Sequence, residues 1–552
     1  MDPQVSTANA QGDFHVYDTT LRDGAQQEGL NLSVADKLTI ARQLDELGVG
    51  FIEGGWPGAS PKDTEFFARA RDELDLRHAR LTAFGATRRA GLSAADDPLV
   101  AALRSSGASV VTLVAKSHPR HVELALRTTL AENLAMIRDT VTHLVAEGQE
   151  VFLDAEHFFD GYRADRDYAL EVLRTAYEAG AQVVALCDTN GGMLPGWVAD
   201  VVDDAVSVTA GSPARVGIHC HNDTGCAVAN TLAAVEAGAT HVQGTINGYG
   251  ERTGNADLVA VVANLQLKLD RPVLPDGMLG EATRIAHAVA EVTNVPPASR
   301  QPYVGASAFA HKAGLHASAI KVDPDLYQHM DPSGVGNDMR LLVSDMAGRA
   351  SIELKGRELG YDLSGDSPDV RALVDRVTAR VKEMEARGYT FEAADASFEL
   401  LLAEEAEGRR PTYLTVESWR VITETLTHAR PGEEAASEAT VKLVAEGVRY
   451  VETGEGNGPV NALDQALRQA LVRAFPEVAK FELIDYKVRI LDPSLPGGHG
   501  TDAITRVLIE TSDGSDSWWT VGVGANVIEA SWEALLDGIT FGLRRHHRTR
   551  SV

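Results

Sequence analysis

"VGIHCHNDTGCAVAN", residues 216–230, sets two histidines two positions apart at the end of a short apolar run. In an extended strand, residues i and i+2 face the same side. His219 and His221 therefore point together, and Cys220 points away. Two neutral imidazoles on one face are most of a chelate for a divalent cation. One carboxylate completes a two-histidine, one-carboxylate set that leaves coordination positions open for substrate. A histidine pair hydrogen-bonded inside a core produces the same pattern, so the rest of the chain has to decide between them.

The apolar run is one of eight. "HVYDTTL" (15–21), "FIEGGW" (51–56), "LTAFGAT" (81–87), "SVVTLVA" (109–115), "EVFLDAEHF" (150–158), "VVALCDT" (183–189), "RVGIHCH" (215–221) and "HVQGTIN" (241–247) all read as strands. The stretch between each pair is long enough for one helix. In 32–48, Ser33 and Asp36 form a capping box, Leu38, Ala41, Leu44 and Leu47 form a stripe, and Gly48 ends the helix. Eight βα units over roughly 250 residues predict an α/β fold, a (β/α)8 TIM barrel. A doubly wound sheet fits less well, because no glycine-rich phosphate loop follows the first strand.

Such a barrel carries its chemistry at the C-terminal ends of its strands. Those ends hold Arg22 and Asp23, then Glu156 and His157, then Asp188, Thr189 and Asn190, then His219 and His221, and finally "NGYGERTGN" (247–255). Asp23 is the carboxylate the histidine pair lacks, and the polar residues gather where this fold places its site. The expectation is a divalent-metal centre, with the ion left open among Mg2+, Mn2+, Co2+ and Zn2+.

The 552 residues carry a formal net charge of −28, which argues against nucleic acid or an anionic membrane as partner. An anionic substrate then needs a local basic pocket. Three cysteines, Cys187, Cys220 and Cys226, without framework spacing fit a reducing compartment. No run of about 18 apolar residues is present, nor a signal-like start, so the expectation is a cytoplasmic chain with no membrane span. Residues 1–13 and the closing "RRHHRTRSV" read as loose tails.

"DTTLRDG" (18–24), "HCHND" (219–223) and "NGYGERTGN" together resemble the metal-dependent barrel family of 2-isopropylmalate, homocitrate and citramalate synthases, to which hydroxymethylglutaryl-CoA lyase is related. The resemblance implies Asp23, His219 and His221 as metal ligands and Asn255 as a weaker polar contact near the metal. It implies Arg22 as oxyanion stabiliser, Glu156 as the carboxylate that orients other groups, and Thr189 as the hydroxyl that binds the keto-acid carboxylate. "HKAGLHASA" (311–319) resembles the segment supplying a catalytic histidine, His316, and "DLYQHMDP" (325–332) the segment bearing a catalytic tyrosine, Tyr327. Within the family, "LDAEHFFDGYRAD" (153–165), "GYTFEAADASFELL" (388–401) and "GFIEGGWPGASPKD" (50–63) look most like the longer bacterial citramalate synthases.

The expected layout is a barrel over 14–270, mostly helical connecting subdomains over 271–410, and an α+β regulatory domain over 411–545. That last region holds an approximate repeat, 443–467 against 508–535, each half reading strand, turn, strand, glycine-rich link, helix. The links "GEGNG" and "GVGAN" lack the Lys and Ser/Thr of a phosphate loop. Their glycines either bind an effector's carboxylate or only close tight turns. The resemblance implies an end-product sensor, for isoleucine, formed at a homodimer interface.

The activity it implies is a Claisen-type condensation of acetyl-CoA with pyruvate to (R)-citramalate. The alternatives are 2-isopropylmalate synthesis from 2-ketoisovalerate, a lyase running the reverse cleavage, and an amino-acid sensor on a dead barrel. The repeat argues against the lyase, and the intact polar set argues against the dead barrel. Trp56, Phe84 and Phe158 are the candidates for narrowing the pocket to pyruvate.

Overall fold

Eight short strands, β1 His15–Asp18, β2 Phe51–Gly55, β3 Arg80–Ala86, β4 Val110–Lys116, β5 Glu150–Glu156, β6 Val183–Asp188, β7 Arg215–Cys220 and β8 His241–Gly244, pair in parallel in chain order. They close when β8 pairs with β1. This is the (β/α)8 barrel that the spacing predicts. The structure is a computed structural model that describes residues 14–343, 349–363, 367–423, 437–491 and 504–549, so the tail expected over 1–13 lies outside the described residues.

The first helix, Val34–Leu47, shows how local sequence sets the boundaries. The Ser33 hydroxyl accepts the Asp36 N–H, and the Asp36 carboxylate accepts the Ser33 N–H. Gly48 ends the helix at φ 84°, where a Cβ would stand 2.6 Å from Pro275.

Side chains alternate across the closed sheet. Val16, Ile52, Ala83, Val111, Leu153, Val184, Ile218 and Val242 belong to the apolar layer shared with the helices. Tyr17, Phe51, Val110, Phe152, Val183 and Ala185 form a separate cluster. β2 and β5 are not neighbours, so the Phe51–Phe152 ring contact, at 5.2 Å between centroids, crosses the barrel interior.

Three expectations need correction. The fifth strand stops at Glu156 instead of running to Phe158, because His157 adopts a left-handed conformation, φ 56°, and a helix begins at Phe158. Phe158 is fully buried in that helix against Phe159 and Tyr162, so it does not narrow the pocket. At the C-terminus, residues 544–549 are no loose tail, since the last helix runs Val527–Thr549. Its end is tied down: Arg544 donates to Tyr361 and Glu407, Arg548 to Glu399, and His547 stacks on Tyr413.

The chain divides into two compact units, one reaching Phe309 and including Met330–Asp338, the other formed by Ala310–His329 and the chain from Met339 on. In the second unit, β9 Ala310–His311 pairs with β10 Arg340–Leu341. The helices Gly314–Val322, Arg349–Glu358, Pro368–Ala386 and Asp395–Glu407 make up its helical part. Two antiparallel sheets follow, β11 Leu414–Thr423, β12 Ser437–Ala445, β13 Val448–Gly456 and then β14 Glu482–Ile490, β15 Thr505–Ser512, β16 Ser517–Gly524. Each feeds one helix, Pro459–Leu471 or Val527–Thr549, so the repeat folds as two βββα halves. Gly454 and Gly522 occupy matching positions. A Cβ there would stand 2.4 Å from the Ala466 nitrogen and 2.0 Å from the Ala530 carbonyl oxygen. These two glycines let each helix lie against its own strand.

Removing a ring from the barrel interior should be costly wherever the site sits. Phe152→Ala is expected to cost about 3–5 kcal/mol, read as a lowered thermal unfolding midpoint; a midpoint equal to the parent's would show that the interior ring cluster does not hold the barrel.

Candidate metal centre and active-site cavity

Asp23 follows β1, His219 lies on β7, and His221 stands one residue beyond it, bridged through the backbone to Asn255 in the loop after β8. All four are buried. The Asp23 Oδ2 atom lies 3.4 Å from His219 Nε2 and 3.9 Å from His221 Nε2, while Asn255 Nδ2 donates to Asp23 Oδ1 at 3.4 Å. One ligand atom from each of Asp23, His219 and His221 lies within 4.8 Å of the others. Asn255 Oδ1 and His221 Nδ1 are buried without a hydrogen-bond partner, an arrangement that costs free energy unless something else satisfies them.

The electrostatics suit a cation. Burial works to raise the Asp23 carboxyl, but the Arg22 guanidinium and the two imidazoles hold it well below the usual carboxylate range. Burial, with His219 close by, pushes His221 down to about 4, so its ring is neutral at neutral pH and keeps a lone pair for a ligand. A carboxylate, two imidazoles and an unpartnered amide oxygen together fit a divalent metal.

Arg22 is held on three sides. Its Nε donates to Glu53 at 2.6 Å, its Nη1 to Asp23 at 3.1 Å, and its guanidinium carbon lies 3.9 Å from the Phe84 ring centroid. Phe84 in turn meets Trp56 edge-on at 5.5 Å. Glu53, fully buried, also accepts from the Tyr17 hydroxyl at 2.8 Å. A cavity of about 680 Å3 opens beside this group, with Arg22, Asp23, Trp56, Phe84, Glu156 and Thr189 in its wall. Trp56 and Phe84 are thus at the cavity, as expected.

Glu156 is ion-paired with Lys116 across β4 and β5. The Thr189 Oγ1 accepts the His157 backbone N–H at 2.8 Å, which leaves its own proton free to donate. Arg252 donates to Asp223 at 2.8 Å and to the Thr189 carbonyl at 2.9 Å. His316, on the helix Gly314–Val322, and Tyr327 belong to the second unit, where their rings stack at 4.1 Å.

Sequence reading missed Glu53, Lys116, Asp154 and Gln243. For three of them a signal was present, because a charged or amide residue inside an apolar barrel strand, as in "FIEGG", "VFLDAE" and "HVQGT", is out of place unless it is paired.

Residues 13–289, the whole barrel with the Asp23, His219 and His221 group, match the HMGL-like family. The chain belongs to the HMGL-like family. Beyond the HMGL-like barrel, residues 303–388 match the homocitrate synthase post-HMGL domain-like family and residues 392–543 the LeuA allosteric (dimerisation) domain. The chain is 67% identical over 541 residues to the (R)-citramalate synthase of Streptomyces coelicolor, with 98% of each chain covered. It is 49% identical over 534 residues to the (R)-citramalate synthase of Synechocystis sp., with 96% of each covered. It is also similar, at 33% identity over 540 residues, to a probable 2-isopropylmalate synthase of Methanopyrus kandleri, covering 96% of this chain and 98% of that one. No described helix is long and apolar enough to cross a membrane.

If this HMGL-like centre holds a metal, His219→Ala and Asp23→Ala should each lower the Mn2+ retained after dialysis by more than about tenfold, the lower end of what even an outer-shell loss costs. Circular dichroism should stay unchanged, since both residues stand at the barrel rim. Retention equal to the parent's in both variants would rule this centre out.

Proposed function

We propose that the chain condenses acetyl-CoA with pyruvate to give (R)-citramalate and CoA, as a cytoplasmic homodimer. The observation that carries the reading is the buried Asp23, His219, His221 group beside the Arg22 cavity, in a chain similar end to end to (R)-citramalate synthases. A methyl proton leaves acetyl-CoA, a carbon–carbon bond forms to the ketone carbon of pyruvate, the alkoxide takes a proton, and water cleaves the thioester to release CoA.

Asp23, His219 and His221, with Asn255 beside them, are the residues that would hold a divalent metal (Mn2+, Mg2+, Co2+ or Zn2+), which when bound supplies Lewis-acid polarisation of the keto acid. Arg22 is fixed in advance by Glu53 and Phe84, so its charge meets the developing oxyanion without reorganising. Thr189 donates its free hydroxyl proton to the keto-acid carboxylate. Glu156, anchored by Lys116, orients the reacting groups. By the family resemblance the enolising base belongs to the segment that bears His316 and Tyr327, whose rings stack on each other.

The Trp56–Phe84 pair supports a small keto acid, because added methyl groups must meet rigid rings. A screen of keto acids by thiol-reagent detection of CoA release should give pyruvate the highest kcat/KM. Phe84→Ala should shift the 2-ketoisovalerate to pyruvate ratio upward by roughly tenfold or more. A parent enzyme that prefers 2-ketoisovalerate would make this a 2-isopropylmalate synthase.

The match to an allosteric (dimerisation) domain supports a dimer and an effector. The two sheets leave apolar side chains exposed, Ile422, Val448, Val451, Ile484, Val488 and Ile490, as a dimer contact needs. A second cavity of about 680 Å3 lies at the start of the helix Pro459–Leu471, lined by Gly458, Val460, Asn461, Phe481, Leu483 and Tyr486 among others. Its mixed apolar and polar wall suits isoleucine. Arg410 is bonded to Asp537 and Val521 packs with the connecting helices, so deleting the module would strip the helical part, and a point substitution is the cleaner test. Val460→Asp should raise the isoleucine concentration for half inhibition by about tenfold or more, a loss of about 1.4 kcal/mol in effector binding. Parent activity indifferent to isoleucine would end the feedback reading.

A further inference from the structure

Gln243 stands at the centre of a buried polar line inside the barrel. Its Oε1 lies 2.7 Å from His219 Nδ1, and its Nε2 donates to Asp154 Oδ1 at 2.8 Å. The same Nε2 lies 3.3 Å from His241 Nε2, and His241 Nδ1 lies 3.4 Å from His15 Nδ1. Gln243, Asp154, His219 and His241 are all buried.

The directions of these bonds follow from the donor inventory. An amide oxygen only accepts, so His219 Nδ1 carries a proton, and in the neutral ring Nε2 keeps the lone pair. That Nε2 is the atom facing Asp23. The amide nitrogen has two hydrogens, one for the Asp154 carboxylate and one for His241 Nε2. Reversing the amide would set its oxygen against the Asp154 carboxylate, acceptor against acceptor. It would also aim an N–H at His219 Nδ1 and move the imidazole proton to Nε2, where no cation can bind. Neither Asp154 nor Gln243 is among the residues lining the cavity.

We infer that Gln243 is a positioning residue that selects the metal-binding tautomer of His219, and that Asp154 locks the orientation of the Gln243 amide. A carboxylate–amide–imidazole relay here takes the place of the direct carboxylate or carbonyl partner that metal-bound histidines ordinarily use. The inference rests on the metal reading of Asp23, His219 and His221, and extends it to two residues with no contact to the cation.

The test uses the full chain stripped with chelator and titrated with MnCl2 by calorimetry, with kcat/KM for pyruvate as the second readout. Gln243→Leu should weaken Mn2+ binding by roughly 10–100-fold. Gln243→Glu alone should also weaken it, because two carboxylates then oppose each other. Pairing Gln243→Glu with Asp154→Asn exchanges amide and carboxylate and restores the donor–acceptor order. That double variant should recover Mn2+ affinity to within about threefold of the parent, which a merely structural role for Gln243 does not predict. The two Gln243→Glu chains differ by one isosteric residue, so their comparison stands even if Gln243→Leu does not fold. Mn2+ affinity unchanged in Gln243→Leu, or no recovery in a folded exchange variant, overturns the inference while leaving the metal site standing. A parent chain that binds no Mn2+ overturns both.

Discussion

The pairing of β8 with β1 is the constraint on which the site depends. Register runs from His15 opposite His241 to Asp18 opposite Gly244, and it brings the two ends of the barrel sequence together. The Thr19 N–H donates to the Gly244 carbonyl and the Ile246 N–H to Thr20 Oγ1, which fastens the segment after β1 to the loop after β8. Asp18 accepts both the N–H and the hydroxyl of Thr20, so the turn that carries Arg22 and Asp23 is held from within. A slip of one residue in this pairing would carry Asp23 away from the histidines and Asn255 away from Asp23, because strand side chains alternate faces.

The same closure gathers basic side chains, most of them paired with acids, in an acidic protein. Arg22, Lys37, Lys62, Lys116 and Arg252 line the barrel cavity of a chain whose net charge is −28. Four of them are held by acids: Arg22 by Glu53 and Asp23, Lys37 by Asp63, Lys116 by Glu156, Arg252 by Asp223. Buried charges persist only when compensated, and compensated charges do not need to move when a reaction begins. The paired cations of the cavity wall are therefore already in place.

The second unit repeats one device twice. Each glycine-bearing strand end lets its helix lie against it, and each helix covers one sheet face. The C-terminal helix also reaches the connecting helices, where Glu533 accepts from the Tyr389 hydroxyl at 2.7 Å and Asp537 from Arg410 at 2.6 Å. A shift of that helix cannot leave those contacts untouched, which gives the module a physical route to its neighbours.

Much of this was legible along the chain, because it rests on local rules. Short apolar runs spaced by helix-length stretches marked the eight strands, the capping box and Gly48 bounded the first helix, and the repeat at 443–535 announced two like halves. The i, i+2 spacing set His219 and His221 on one face, and the end of the first strand offered Asp23. What periodicity cannot report is distance between strands that are far apart in sequence. That Glu53 on β2 holds Arg22 after β1, that Lys116 pairs with Glu156, and that Gln243 on β8 links Asp154 on β5 to His219 on β7 all depend on strand tilt and register after closure. Phe158 looked like a pocket wall until the left-handed turn at His157 sent it into a helix, and residues 544–549 looked loose until their partners at Glu399, Glu407 and Tyr413 were in place. The sequence by itself determined which side chains share a strand face; only the closed barrel decided which faces meet, since that is a matter of geometry across the ring and not along the chain.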